Sequence, residues 1–286
     1  MIERRAFALS TAGFIVSRNS FAQSAVSPTK AVDDDLPPLP KELEGAASEN
    51  DFFSVQLGNK PLGTADPGEA KKKFAREIME AAPKNCRPID VAYFYRKLGK
   101  GETVFKEEGR PYARGWPRLY NPLIIQLFQT TGVDPLSPKF QGDETPWCAA
   151  FINYCIARAV SKDGRIDQAA LTRGTRSASS GSFRCFGSAI QQGNTPKEGD
   201  IAVWALEGTI DGCKSGKGHV GFYSGATGDP KLPYFVMGGN QGGDLITGVD
   251  TRKDGMFLKA MPLTYIAQKN PPKYKKFFGF RTTAYL

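Results

Sequence analysis

The chain predicts an α+β domain, with N-terminal helices packed on an antiparallel β-sheet. Three observations carry this. Up to Val160, apolar residues recur at helical spacing, between N-cap and stop signals. Beyond Gly199 the apolar runs shorten to strand length and are separated by turn residues. Helices first and strands after imply a helical layer laid against a sheet rather than alternating βα units.

The elements follow in order. "DPGEAKKKFAREIMEAAP" carries Phe74, Ile78 and Met79 at helical spacing, with Asp66 and Pro67 as start signal and Pro83 as stop. "PIDVAYFYRKLG" is a second helix, closed by Gly99. "YNPLIIQLFQTTG" is a third, with Asn121 as N-cap, Pro122 at the first helical position and Gly132 as stop. "WCAAFINYCIARAV" is a fourth, with Ala149, Ile152, Cys155, Ile156 and Ala159 forming an apolar stripe. "DIAVWAL", "HVGFYSG" and "YFVMGGN" read as strands, and "MFLKAMPLTYI" and "KKFFGFRTT" supply more strand-like sequence.

Ahead of the domain lie two segments of different character. Residues 1–25 place Arg4 and Arg5 before a short apolar run, then small residues around Ala22 and Ala25. That order is expected of an export signal, and "RRAFAL" resembles the twin-arginine type. Residues 26–65, with "VDDDLPPLP", bury too little apolar surface to offset ordering entropy and read as a flexible linker. Residues 66–286 are then one domain, of which 66–140 is a helical extension. Its expected location is periplasmic or secreted. The sequence has no unbroken apolar run of membrane-spanning length, so no stable membrane insertion is expected. A net charge of +9 favours anionic partners. The lysines are scattered and no nucleic-acid motif occurs, so nucleic acid is not an expected partner. A monomer is expected.

Five cysteines stand against one histidine. Outside the cytoplasm thiols tend to pair, and an odd count leaves at least one over. Cys185 and Cys213 are candidates for a disulfide, although spacing fixes no pairing; Cys155 reads as a buried small residue. In "GDETPWCAAF" Pro146 suits a first helical position, which puts Cys148 in the first turn. There the unpaired N–H groups and the helix dipole are expected to lower a thiol pKa and to receive an oxyanion. "GKGHVGFYSG" sets His219 at a strand start behind glycines, a candidate base for that thiol. A regular hairpin centred on Asp229–Pro230 sets Asn240 opposite His219, where its side chain would orient the imidazole. A slip of one residue would move that role to Gln241, with Asp244 as a further alternative. Trp147 and Trp204 either line a cleft or pack in the core. No CxxC or histidine cluster suggests zinc, and Asp143 and Glu144 lack calcium-loop spacing; neither metal nor cofactor is expected.

"DETPWCAAFINY", "PKEGDIAVW", "GHVGFYSG" and "MGGNQ", in this order, resemble the CHAP and NlpC-type cysteine amidohydrolase/peptidase superfamily. They are most similar to a small bacterial CHAP-like family carrying TPWCAAFVN, GDIVVF, GHVGFV and GGNQ motifs. The likeness runs from about Tyr93 to Arg281. It implies a papain-like fold and hydrolysis of amide bonds in peptidoglycan peptides. By position it implies Cys148 as nucleophile, His219 as base and Asn240 as orienting residue. Trp147 and Gln241 are the expected substrate contacts. Two departures bear on substrate preference: "SASSGSFRCFG" lacks the family's usual tryptophan, and residues 207–215 form a longer segment containing Cys213. The alternatives are a wall-binding module without turnover, which has no need of the Cys–His–Asn set, and an acyltransferase that passes the same acyl group to an amine.

Overall fold

The computed structural model describes residues 63, 65–137, 140–191, 193–208, 216–242, 255–268 and 272–283. The export-signal segment 1–25, nearly all of the 26–65 linker, Cys213 and Asp244 lie outside the described residues.

The helices come first: α1 (Glu69–Ala81), α2 (Pro88–Gly99), a short α3 (Lys106–Gly109), α4 (Pro122–Leu127), α5 (Cys148–Val160) and a short α6 (Gln168–Leu171). Asn121 caps α4 as its sequence implies, its side chain accepting the Leu123 N–H, and Pro122 opens the helix. α4 is shorter than expected because the chain tightens into a 3₁₀ turn at Phe128–Thr130. The apolar stripe read for α5 understates it, since every residue from Cys148 to Ala159 is buried. A helix buried on all sides belongs inside a fold, between other elements, and α5 packs between α2 and the sheet. The buried Arg158 ties it to α1, donating to the carbonyls of Ala82 and Glu80.

The six strands are β1 (Ile201–Leu206), β2 (Gly218–Ala226), β3 (Tyr234–Gln241), β4 (Gly255–Met261), β5 (Thr264–Gln268) and β6 (Lys273–Arg281). They form one antiparallel sheet in the order β4-β3-β2-β1-β6-β5, so the expected α+β class is what the structure has. "MFLKAMPLTYI" is not one strand, because Pro262 cannot donate to a ladder and separates β4 from β5.

That break shapes the sheet. β4 and β5 occupy opposite edges of the strand order, yet only Pro262 and Leu263 join them. In a flat sheet the two edges would lie about 24 Å apart, at ~4.8 Å per strand. Three Cα–Cα steps span at most about 11 Å. The sheet must therefore curl, and it forms a half-barrel. Trp204, in the middle of the sheet, reaches across the curl to donate its indole N–H to the Pro262 carbonyl at 2.9 Å.

The curl separates two cores. On the convex face Val203, Val220, Phe222 and Met237 pack against α2 and α5. On the concave face Trp204, Tyr223, Val236, Met261 and Phe280 form a second cluster, edged by Tyr234, Tyr265 and Phe277. Among the described residues no helix is long and apolar enough to cross a membrane.

Candidate active site

Cys148 lies in the first turn of α5, as expected, but as its first residue: Trp147 is the N-cap, and Pro146, expected at the first helical position, lies just ahead of the helix. The backbone N–H groups of Val220, Ala149 and Cys148 itself act on its sulfur. The Val220 contact ties the start of α5 to β2, one residue after His219. The thiol is almost enclosed, 4% exposed. Its pKa is nonetheless raised, not lowered as its helical position implies: burial disfavours the thiolate more than Lys275 and the N–H groups favour it. The resting group is a neutral thiol.

His219 lies on β2 opposite Trp204 of β1, so both side chains share the concave face. It is 5% exposed, and its Nε2 stands 2.8 Å from Oε1 of Gln241. Burial drives its pKa down to about 3, the cationic Lys275 and Lys259 push the same way, and the Gln241 hydrogen bond opposes them. The imidazole is neutral at ordinary pH.

The side chain that meets His219 is thus Gln241, where the regular hairpin assigned Asn240. The expected β2–β3 pairing holds at Phe222↔Met237 and Tyr223↔Val236. It fails further along because β3 gains a residue against β4 between Gly238↔Phe257 and Gln241↔Gly255. Asn240 takes up the irregularity with a left-handed φ of 55°, which asparagine tolerates better than most residues. One extra residue exchanges the two faces, so Gln241 arrives where Asn240 would have been. Asn240 is half-buried beside it.

Gln241 is held from both ends. Its Nε2 donates to the carbonyls of Val236 at 3.0 Å and Phe257 at 2.5 Å. Carbonyls only accept, so the amide nitrogen must lie on that side and Oε1 must face the histidine. Oε1 in turn only accepts, so His219 must carry its proton on Nε2. In the neutral ring the unprotonated nitrogen is then Nδ1. Gln241 has both amide protons committed and is 5% exposed, so it meets the histidine and not a substrate.

The two glycines before it make room. A Cβ on Gly238 would stand 2.8 Å from Oε1 of Gln241, and a Cβ on Gly239 would stand 2.4 Å from a ring carbon of Trp147. Trp147 itself is fully buried, edge-on to Phe151 at 6.3 Å. It packs the root of the site rather than lining a cleft, which corrects its expected role as a substrate contact. Trp204 packs likewise, within the concave core.

The approach to Cys148 is fixed by Asp143. Its Oδ2 accepts the backbone N–H groups of Trp116 and Asn121 at 2.9 and 2.8 Å. Gly63 lies over the carboxyl, where a Cβ would come within 2.1 Å of Oδ1, so the ordered fold reaches back into the segment expected to be linker. Burial raises Asp143 to about 7 in spite of those two donors.

Three groups near the pair carry no motif and were not anticipated. Lys259 on β4, Lys275 on β6 and Tyr265 on β5 share the concave face with His219, since they pair in register with Val236, Leu206 and Lys275. Cys86, Cys148 and Cys155 are free thiols, and Cys185 is disulfide-bonded. Among the described residues no cluster of three or more histidine, cysteine or acidic side chains is arranged to hold a metal.

No family model, curated protein or solved structure matches the chain.

Proposed function

We propose that the protein is an exported cysteine hydrolase that cleaves amide bonds of peptidoglycan peptides. The observation that carries the chemistry is the orientation of Gln241. Its committed amide protons leave His219 with Nδ1 as the base, on the strand whose next N–H reaches the Cys148 sulfur. The ordered motifs around Cys148, His219 and Gln241 support the substrate class, and the leading "RRAFAL" segment supports export.

The reaction starts from two neutral groups. As Sγ of Cys148 attacks the amide carbonyl, its proton passes to Nδ1 of His219, and the carbonyl oxygen becomes an oxyanion. N–H groups at the start of α5, where the helix dipole is positive, suit that charge. The imidazolium is stabilised through Nε2–H by Gln241 Oε1. It returns the proton to the leaving amine as the C–N bond breaks, leaving a thioester. Water, deprotonated by the same Nδ1, then releases the carboxylic acid and the thiol. Starting from a neutral pair makes proton transfer part of the attack, so the base contributes to the chemical step directly.

The test is digestion of purified peptidoglycan sacculi by the chain without residues 1–25. Mass spectrometry should find soluble peptide fragments, each cut leaving a new carboxyl group on one product and a new amine on the other. Cys148→Ala protein should release none. Intact sacculi after prolonged incubation with folded protein would reject the substrate class.

A further inference from the structure

The concave face holds two cations that the reaction above does not use. None of the six strands contains an aspartate or a glutamate, yet β4 and β6 place Lys259 and Lys275 on the same face as His219. The curl turns their strands toward each other, since the Pro262–Leu263 connection joins β4 to the strand paired with β6. Both side chains are half-buried. Among the described residues neither has a carboxylate partner. Lys276, the neighbour of Lys275, does have one: its Nζ is 2.8 Å from Glu207. Lys275 instead lies 5.7 Å from the centre of the Tyr265 ring, which holds the ammonium in place without neutralising it.

The electrostatics agree with the geometry. Each lysine is pushed below its ordinary range, by burial first, and Lys259 further by Lys275. Lys275 acts on both Cys148 and His219, and Lys259 on His219. Two half-buried ammonium groups with no carboxylate partner among the described residues favour a nearby anion.

We propose that Lys259 and Lys275 form an anion subsite that binds a carboxylate of the substrate close to the scissile amide. The inference rests on Cys148 as the reacting group, and it names acidic peptides as the preferred substrates. A carboxylate, as opposed to a phosphate, follows from the proposed reaction: a peptide amide flanked by an acidic residue or chain end carries such a group within a few bonds of the carbonyl. Lys275 and Lys259 would position and select the substrate, while Cys148 and His219 react.

The experiment uses a probe that needs no turnover. Cys148 is alkylated with iodoacetate, which bears a carboxylate next to the reacting carbon, and with neutral iodoacetamide, and the extent at Cys148 is followed by peptide mass spectrometry. The iodoacetate-to-iodoacetamide rate ratio in the wild-type protein should fall about tenfold in Lys275→Gln and further in the Lys259→Gln/Lys275→Gln double variant. Lys→Arg at either position should keep most of it, and Lys273→Gln, on the exposed start of β6, should leave it unchanged. A ratio unaffected by both Gln substitutions overturns the subsite, and so does failure of either reagent to reach Cys148 in folded protein. In parallel, sacculi are digested before and after their carboxylates are converted to methylamides. The double variant should raise KM about tenfold or more on untreated sacculi, with kcat within a few-fold, and should equal wild type on amidated ones. If no sacculus is cut but the alkylation ratio responds as expected, the subsite stands and the wall-hydrolase reading falls.

Discussion

His219→Ala lowers kcat by about 10³-fold or more while leaving the protein folded and KM within a few-fold. The size follows from general-base catalysis, which typically contributes about 10²–10⁴-fold. The upper part of that range is expected because the thiol starts protonated, its pKa raised by burial, so attack cannot proceed from a ready-made thiolate. No second histidine exists in the chain to take over. Turnover assays at saturating substrate, with circular dichroism as a check on folding, measure it. A variant that keeps a tenth of wild-type kcat would show that the proton leaves Cys148 by another route.

Gln241→Ala is expected to lower kcat by roughly 10- to 100-fold, the equivalent of one lost hydrogen bond of ~1.5–3 kcal/mol to a group that becomes charged. Gln241→Glu tests the same contact with the opposite bias. A carboxylate facing Nε2–H holds the imidazolium more strongly, so the histidine pKa should rise from its depressed value. Asn240→Ala should cost far less in kcat, because Asn240 supplies the backbone irregularity and not the hydrogen bond. Asn240→Gly, which keeps the left-handed φ without strain, should behave like wild type. Equal losses in Gln241→Ala and Asn240→Ala would mean that the two residues act together on the ring.

Much of this arrangement is legible in the residues. Asn121–Pro122 announces a helix start, and it is one. The proline and acidic run before Cys148 mark a helix start to within two residues, Pro146 falling just outside α5, and the glycines before His219 mark a strand start. What the hairpin register could not carry was the extra residue in β3. Pairing by residue number assumes an unbroken ladder, and an asparagine in the left-handed region breaks it without any glycine or proline at that position to mark the spot. The glycine pair ahead of it was the available signal. Gly238 and Gly239 leave space that Gln241 and Trp147 fill, but which side chains need the space depends on the fold. The thiol pKa went the other way for a similar reason: helix position is local, while burial comes from elements distant in sequence. Lys259 and Lys275 belong to no motif, and only the curl forced by Pro262–Leu263 brings their strands together.

The depressed histidine pKa also bears on stability. The folded-state value, about 3, lies below the reference of 6.5, so between those pH values the unfolded chain binds the proton that the folded one refuses. The contribution of His219 to stability is therefore complete above pH 6.5 and is lost progressively as pH falls toward 3. The state of the ring itself can be read directly. With one histidine in the sequence, the imidazole nitrogen spectrum of ¹⁵N-labelled, untagged protein contains His219 alone. A two-bond ¹H–¹⁵N correlation followed from pH 8 to pH 4 should show the proton on Nε2, an unprotonated Nδ1, and no titration step near 6.5. A ring protonated on Nδ1, or one that titrates with a midpoint near 6.5, would contradict a neutral base held by Gln241.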